Sequence, residues 1–315
     1  MASCPDLLFG DSAAMAHVLE ACGRFAPSAN PVLLVGQPGT GKTALAKHIH
    51  GLSRRGPFVC CSMAGIPPHL EHSHLCGHVR GSFTGAERDR EGLVEVAHGG
   101  SLFLDELGIA SPLVQEILLA VVEEGTFLRV GETRPRSVDA RIIAATNADL
   151  RAMRDAGRFR RDLLGRFGFM WIPLPPLTER RDEILPLVTH YLRLEGSRIG
   201  RANPLGLSGA VRDCLLVAPW EDNIREVREL CRYLVLCCQE RSEVELSDLP
   251  PAFLASLGQV TQARAARGWR ERLDEVLERN EGNVSAAARE LGKSRTAVYN
   301  ALKNRKASYR GAPTS

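Results

Sequence analysis

The eight residues Gly36-Gln37-Pro38-Gly39-Thr40-Gly41-Lys42-Thr43 constrain this chain more than any other stretch. They fill the pattern G-x-x-x-x-G-K-[ST], behind the apolar run Pro31-Val32-Leu33-Leu34-Val35 and ahead of a helical pattern from Lys42 to His50. Glycines let a backbone curl so that its N–H groups converge on an anion, and the following helix adds its own free N-terminal donors. In this pattern Gly36, Gly39, Thr40 and Gly41 shape the cradle, Lys42 reaches the β- and γ-phosphates, and the Thr43 hydroxyl ligates Mg²⁺. Strand, phosphate loop and helix in that order belong to α/β folds built on a parallel sheet with helices on both faces.

The alternation continues downstream. Apolar runs at Phe58 to Cys61, Ser101 to Leu104 and Arg141 to Ala145 are separated by helical patterns, notably Pro112 to Glu124. Asp105 and Glu106 close the run Leu102-Phe103-Leu104. At a strand end beside a phosphate loop, Asp105 can hold Mg²⁺ through water and Glu106 can polarise the attacking water. The plainer reading is an acidic first turn of a helix, stabilised by the helix dipole. Thr146-Asn147 follow the next run. An amide at Asn147 can sense a γ-phosphate and orient water, although an Asn at a strand end is by itself a turn residue.

At Trp171-Ile172-Pro173-Leu174-Pro175-Pro176 prolines end the alternation, and from Glu179 to Leu254 the periodicity is helical. The chain therefore divides into an α/β part at 1–177, a helical part at 178–256, a linker at 257–268, a last helical set at 269–306 and a Gly/Pro/Ser tail at 307–315. The net charge of +3 is unevenly spread, since 261–315 carry twelve Lys/Arg against six Asp/Glu and the first 260 residues carry 28 against 31. A basic end on a slightly acidic body points to a module that meets an anion, most simply DNA; a solvated helix face has the same charge signature. No apolar run is long enough to span a bilayer, no secretory signal opens the chain, and the nine cysteines show no Cys-x-x-Cys spacing. A cytoplasmic protein with reduced thiols and no membrane partner is expected.

The segment Gly81-Ser82-Phe83-Thr84-Gly85-Ala86 resembles the GAFTGA loop with which bacterial enhancer-binding AAA+ activators grip sigma-54 RNA polymerase. From Leu8 to about Leu230 the chain is similar to the central domain of those activators, through GGSLFLDEL (99–107), RVG (129–131), DARIIAATNADL (139–150), FRRDLLGRF (159–167), LPPLTER (174–180) and NIRE (223–226). The resemblance implies an AAA+ P-loop domain at 1–177, an AAA+ helical lid at 178–256, and hydrolysis of ATP to ADP and phosphate with Mg²⁺ held through Thr43 and Asp105. It implies that Arg160 and Arg166 are arginine fingers serving the neighbouring subunit of a ring, a homo- or hetero-hexamer. A guanidinium on the transition-state charge is worth roughly 10³–10⁵ in rate. Arg225 matches the lid arginine that contacts the nucleotide of its own subunit, and Phe83 and Thr84 match the residues that touch sigma-54. Local sequence alone reads Arg158 to Arg161 as an exposed basic helix end, Arg225 as a surface residue, and the loop as a turn with its apolar tip packed inward.

Some positions depart from the family's pattern. Ser82 replaces alanine, adding one hydroxyl that the loop is expected to tolerate. Thr43 stands where this subfamily has glutamate, which restores the general phosphate-loop form. Ser62 replaces an asparagine that switches the catalytic glutamate, and its shorter hydroxyl reaches Glu106 less far. Glu221-Asp222 replaces Pro-Gly ahead of the lid motif, and Ala120 stands where a basic residue is common.

Leu273 to Asn304 resemble the Fis-type helix-turn-helix that ends many of these activators. Asn283 to Ala288 form a small-residue helix, Leu291-Gly292 the turn, and Ser294 caps a second helix with Val298 and Leu302 as core. That helix would lie in the major groove of upstream enhancer DNA. Arg295, Thr296 and Asn300 are its candidate base readers, and Lys293 and Lys303, with Arg305 and Lys306, are candidate phosphate contacts. His69, His72, His74, Cys76 and His78 fall within ten residues. Alternating positions on a helix point different ways, so no zinc site is expected.

These features lead to an expected ATP-hydrolysing transcription activator that binds upstream DNA and remodels the closed complex of sigma-54 RNA polymerase. The alternative is a DNA-binding regulator with a weak or partner-dependent AAA+ domain, acting in a mixed oligomer or without sigma-54; Phe83 and Thr84 favour the first. Because the match starts near residue 8, no N-terminal regulatory domain is expected. Control would then come in trans, from an inhibitor, a homologous co-activator in a mixed ring, or expression level.

Overall fold

A computed structural model describes residues 12–258, 273, 276–277, 280, 283–291, 294–296 and 298. The chain forms two compact units, one of residues up to Leu216 with Trp220–Val244, the other of Val217–Pro219 with residues from Glu245 onward.

The first unit is built on a five-stranded parallel sheet in the order Phe58–Ser62, Ser101–Asp105, Arg141–Thr146, Val32–Val35, Trp171–Pro173. Side chains alternate across it with the period of two that strands impose. Leu34, Phe103 and Ile143 pack on one face with Met15, Leu45 and Ile49 from the helices Ala13–Phe25 and Lys42–Ser53. Leu33, Leu102, Leu104 and Ile142 pack on the other with Val114, Leu118 and Leu163 from the helices Pro112–Glu123 and Arg161–Phe167. Helices on both faces make this the α/β P-loop architecture expected from the motif order.

The prolines conceal the fifth strand. The alternation does not end before Trp171, because Ile172 pairs with Leu34 and Pro173 with Val35. The strand lies at the sheet edge, where one side needs no ladder partner and a missing proline N–H is tolerated. Pairing resumes directly after the proline, where Leu174 N donates to Val35 O at 2.7 Å.

The helical part is formed by Ile184–Arg198, Gly209–Val217 and Asn223–Cys237. It also holds a short parallel pair, Gly206–Leu207 with Glu243–Val244, which the helical periodicity does not announce. Two-residue strands are too short to show a period of their own.

In the second unit residues 251–258 are helical, and Val284–Glu290 forms a helix capped by Asn283, whose side chain accepts from Ser285 N and Ala286 N. Leu273, Ala288 and Val298 bury together, so the small residues of this helix do allow close packing. No helix among the described residues is long and apolar enough to cross a membrane.

Candidate functional site

Sheet register brings three strand ends to one edge. Val35 pairs with Thr146 and Ser62 with Asp105, so the phosphate loop, Asp105-Glu106 and Thr146-Asn147 all leave the sheet at its C-terminal side. Open α/β sheets bind ligands there. A cavity of about 600 Å³ opens at this edge, lined by Gly39, Gly41, Lys42, Thr43, Asp105, Glu106 and Asn147, and across from them by Tyr191, Ile224, Arg225, Arg228 and Glu229.

The loop is held by its own lysine. Lys42 Nζ donates to Gly36 O and Gln37 O, both at 2.8 Å, and Thr40 Oγ1 donates to Gln37 O at 2.9 Å. Burial pushes the Lys42 ammonium below its ordinary pKa, opposed by Asp105 and reinforced by Arg225. Gly39 has φ +73°, and a Cβ there would sit 2.0 Å from Asp222 O. A cradle with no room for a side chain fits a backbone that must close around phosphates.

Thr43 Oγ1 donates to Asp105 Oδ2 at 3.4 Å, and Asp105 Oδ1 accepts from Glu106 N at 2.9 Å. A hydroxyl and a carboxylate converging on one point form an oxygen donor set that suits Mg²⁺, which keeps most of its waters and takes one or two protein oxygens. Glu106 adopts the left-handed conformation, φ +59° and ψ 42°, at a cost of about 1–2 kcal/mol for a residue with a Cβ. Strain of this kind collects at functional sites. Ser62 Oγ still points at the carboxylate, donating to Glu106 Oε2 at 3.3 Å, which is longer than the roughly 2.5–3.0 Å usual for a hydroxyl donor and makes this a weak bond.

Two buried side chains that sequence reasoning passed over join the loop to the helical part. Asn223 is fully buried with φ +53°. Its Oδ1 accepts from Leu177 N at 2.6 Å and its Nδ2 donates to Pro38 O at 3.0 Å. Arg180 Nη2 donates to Thr40 O at 2.7 Å, and Nη1 pairs with Glu183 Oε2 at 3.2 Å. Glu183 in turn accepts from Ser12 Oγ. Their sequence signal lay in the NIRE and LPPLTER matches, where Arg225 alone was assigned a role. The altered Glu221-Asp222 turn closes through its backbone: Asn223 N donates to Trp220 O at 2.9 Å and Ile224 N to Gly39 O at 3.0 Å.

Arg160 and Arg166 do not line this cavity. Arg160 is exposed and doubly bonded to Asp162, from Nε at 3.0 Å and from Nη2 at 2.7 Å, which pulls the Asp162 carboxyl down to about 2. Arg166 pairs with Glu123. Within one chain the two arginines therefore stand apart from Lys42, Glu106 and Asn147.

The Gly81–Ala86 segment is a compact turn closed by Gly81 N to Ala86 O at 2.8 Å and Ala86 N to Phe83 O at 3.0 Å. Gly81 and Gly85 have φ of +79° and +98°, which only glycine adopts freely. Thr84 is exposed, while the Phe83 ring meets His78 edge-on at 5.0 Å. His78 is itself held by Ser73 at 2.8 Å, and His72 Nε2 lies 2.9 Å from Leu128 O. Ser82 departs from the expected tolerance, because its hydroxyl is buried with no hydrogen-bond partner. A buried unpaired hydroxyl costs about 1–3 kcal/mol. Ser82→Ala is expected to raise the unfolding midpoint by a few degrees in thermal denaturation; an unchanged or lower midpoint would show that the hydroxyl is paired in solution.

Of the candidate DNA contacts, Ser294, Arg295 and Thr296 are exposed at the start of a helix. Lys293, Asn300 and Lys303, with Leu302, Arg305 and Lys306, lie outside the described residues, as do most of the 257–268 linker and all of the tail.

Comparison with known proteins agrees with this geometry. Residues 8–173 match a sigma-54 interaction domain, 178–266 an AAA+ ATPase lid domain, and 270–304 a bacterial regulatory protein domain of the Fis family. The chain is 43% identical over 234 residues to the Psp operon transcriptional activator of Escherichia coli strain K12, covering 73% of this chain and 71% of that protein. It is 37% identical over 310 residues to the phenol regulator MopR of Acinetobacter guillouiae, covering 93% of this chain and 55% of MopR. With NtrC of Escherichia coli strain K12 it shares 36% over 305 residues, 94% of this chain and 64% of NtrC. The chain thus spans between half and two thirds of the length of MopR and of NtrC. Among solved structures, NtrX from Brucella abortus in complex with ATP superposes with a TM-score of 0.70 at 31% identity, covering 94% of this chain and 68% of NtrX. With a sigma-54 interaction domain over more than half of its 315 residues, followed by an AAA+ lid and a Fis-type module, the chain belongs to the sigma-54-dependent enhancer-binding family of bacterial AAA+ transcription activators.

Proposed function

We propose that this protein hydrolyses ATP and uses the cycle to remodel the closed promoter complex of sigma-54 RNA polymerase, from a ring bound to upstream DNA in the cytoplasm. The observation that carries this reading is the convergence of Lys42, Thr43, Asp105, Glu106, Asn147 and Arg225 on one cavity, in a chain that also presents an exposed Thr84 on the GSFTGA turn.

The loop amides from Gly36 to Thr43 and the Lys42 ammonium bind the phosphates, a task that suits donors already gathered at a helix start. Thr43 and Asp105 would hold Mg²⁺, which would supply positive charge to offset that of the phosphates. Glu106 accepts the proton of the attacking water, and Asn147 holds that water in line. Ser62, through its bond to Glu106, limits where that carboxylate can go. Arg225 reads the nucleotide from the lid side, so that phosphate loss is felt by the helix that carries it. Arg160 and Arg166 complete the neighbouring subunit's site in a hexamer, which makes hydrolysis depend on assembly. Phe83 and Thr84 engage sigma-54. Arg295 and Thr296 read the enhancer, together with Asn300, while Lys293 and Lys303 hold phosphates. Regulation by a trans-acting inhibitor or a homologous co-activator fits the same scheme.

The test is Thr84→Ala in full-length protein. Hydrolysis, measured as phosphate release, is expected to stay within the wild-type range, because Thr84 is exposed and is not among the residues that line the cavity. Binding to purified sigma-54 in the presence of an ATP transition-state analogue is expected to fall roughly 30-fold, the effect of one interface hot spot. Unchanged sigma-54 binding would remove the loop from the client interface.

A further inference from the structure

The helix Pro112–Glu123 carries one polar side chain on its buried face. Its sequence is PLVQEILLAVVE, and Gln115 sits among Val114, Ile117, Leu118 and Val121 with 2% of its surface exposed. A buried amide must have all its bonding capacity met or it destabilises its surroundings. Gln115 meets this with backbone alone. Its Oε1 accepts from Arg160 N at 2.8 Å, and its Nε2 donates to Arg158 O at 3.2 Å and to Ala110 O at 3.0 Å. One acceptor and two donors fix the orientation of the amide, because the flipped amide would set its Nε2 against the Arg160 N–H and its Oε1 against two carbonyls.

These partners link two functional segments. Arg158 to Arg160 run into the helix Arg161–Phe167 and hold Arg160 just outside its first turn. Ala110 ends the single turn Leu107–Ile109 that starts at the strained Glu106, where Ile109 N donates to Glu106 O at 3.0 Å.

We propose that Gln115 is a positioning residue for Arg160, registering the finger that a subunit offers its neighbour to that subunit's own nucleotide carboxylate. The inference rests on the trans-acting role proposed above for Arg160. Lost bonds at Gln115 leave the guanidinium chemically intact but free to shift, and a shift of about 1 Å at a reacting group costs on the order of 10²-fold in rate.

The experiment uses full-length chains carrying Gln115→Ala, and Gln115→Met to keep the volume while removing the bonds. Each is expected to bind ATP with wild-type affinity and to hydrolyse it on the order of 100-fold more slowly. Mixing then separates donor from acceptor defects. A Lys42→Ala chain has a dead site but sound fingers, so its mixture with Gln115→Ala should recover about a quarter of the wild-type rate by random pairing around a head-to-tail ring. A mixture of Gln115→Ala with Arg160→Ala should recover nothing, because both lack a working finger. Recovery in the second mixture and not the first would place the defect in the variant's own site and overturn the proposal. Wild-type hydrolysis by both Gln115 variants would overturn it too, as would loss of ATP binding by both, which assigns Gln115 to the fold. Normal hydrolysis by Arg160→Ala itself would instead remove the trans-finger reading on which the proposal stands.

Discussion

Arg160→Ala is expected to lower ATP hydrolysis by about 10³-fold or more while leaving ATP binding unchanged. The two halves of that expectation come from different facts. Arg160 is exposed and absent from the cavity wall that carries Lys42, Glu106 and Arg225, so its removal takes nothing from the site of its own chain. A guanidinium delivered to the charge of the transferring phosphoryl group is among the largest single contributions in this chemistry. The bidentate pair with Asp162 raises the guanidinium further above its ordinary pKa, so it stays charged. Equilibrium ATP binding and single-turnover hydrolysis check the two halves separately. Weakened binding would mean that Arg160 supports the fold, and an unchanged rate would mean that each site is complete within one chain.

Gly39→Ala is expected to abolish ATP binding and to destabilise the fold. The new Cβ would lie 2.0 Å from Asp222 O and 3.2 Å from the Arg225 Cβ, at φ +73°. Left-handed backbone costs a residue with a Cβ about 1–2 kcal/mol, and forced overpacking adds about 1–3 kcal/mol. The chain can relieve the clash only by separating the phosphate loop from the turn that carries Asn223, breaking the bond from Ile224 N to Gly39 O. ATP binding should be lost and the unfolding midpoint should fall by roughly 5–15 °C. Gly51→Ala is the control: it lies in the helix that follows the loop, with nothing within 4 Å of the added Cβ, and should be neutral or slightly stabilising. Retained ATP binding in Gly39→Ala would show that lid and loop are not in contact in solution.

The phosphate loop, Asp105-Glu106 and Thr146-Asn147 were legible because each follows a strand whose apolar run is unmistakable. Strand register then places all three at one edge without further assumption. The edge strand at Trp171–Pro173 was illegible because proline argues against a strand unless the strand is known to be at an edge, and sheet order is not written locally. Asn223, Arg180 and Gln115 were missed for a common reason. Each is a polar residue bonded to at least one backbone atom far away in sequence, and such a partner carries no side-chain identity that a motif could record. Gln115 left one trace, an amide on the apolar face of a helix that otherwise buries only Val, Ile and Leu. Ser82 is a different case: the added hydroxyl was legible in the sequence, but its burial without a partner was not.

Open-complex formation on a promoter that requires sigma-54 tests the coupling of this site to its client most directly. Wild-type protein, sigma-54 RNA polymerase, upstream DNA and ATP should give heparin-resistant open complexes. Glu106→Gln, which removes the acceptor for the attacking water's proton, should give none while still binding ATP, and Thr84→Ala should give none while still hydrolysing it. Wild-type protein that hydrolyses ATP at full rate yet never opens the promoter would contradict the account at its centre.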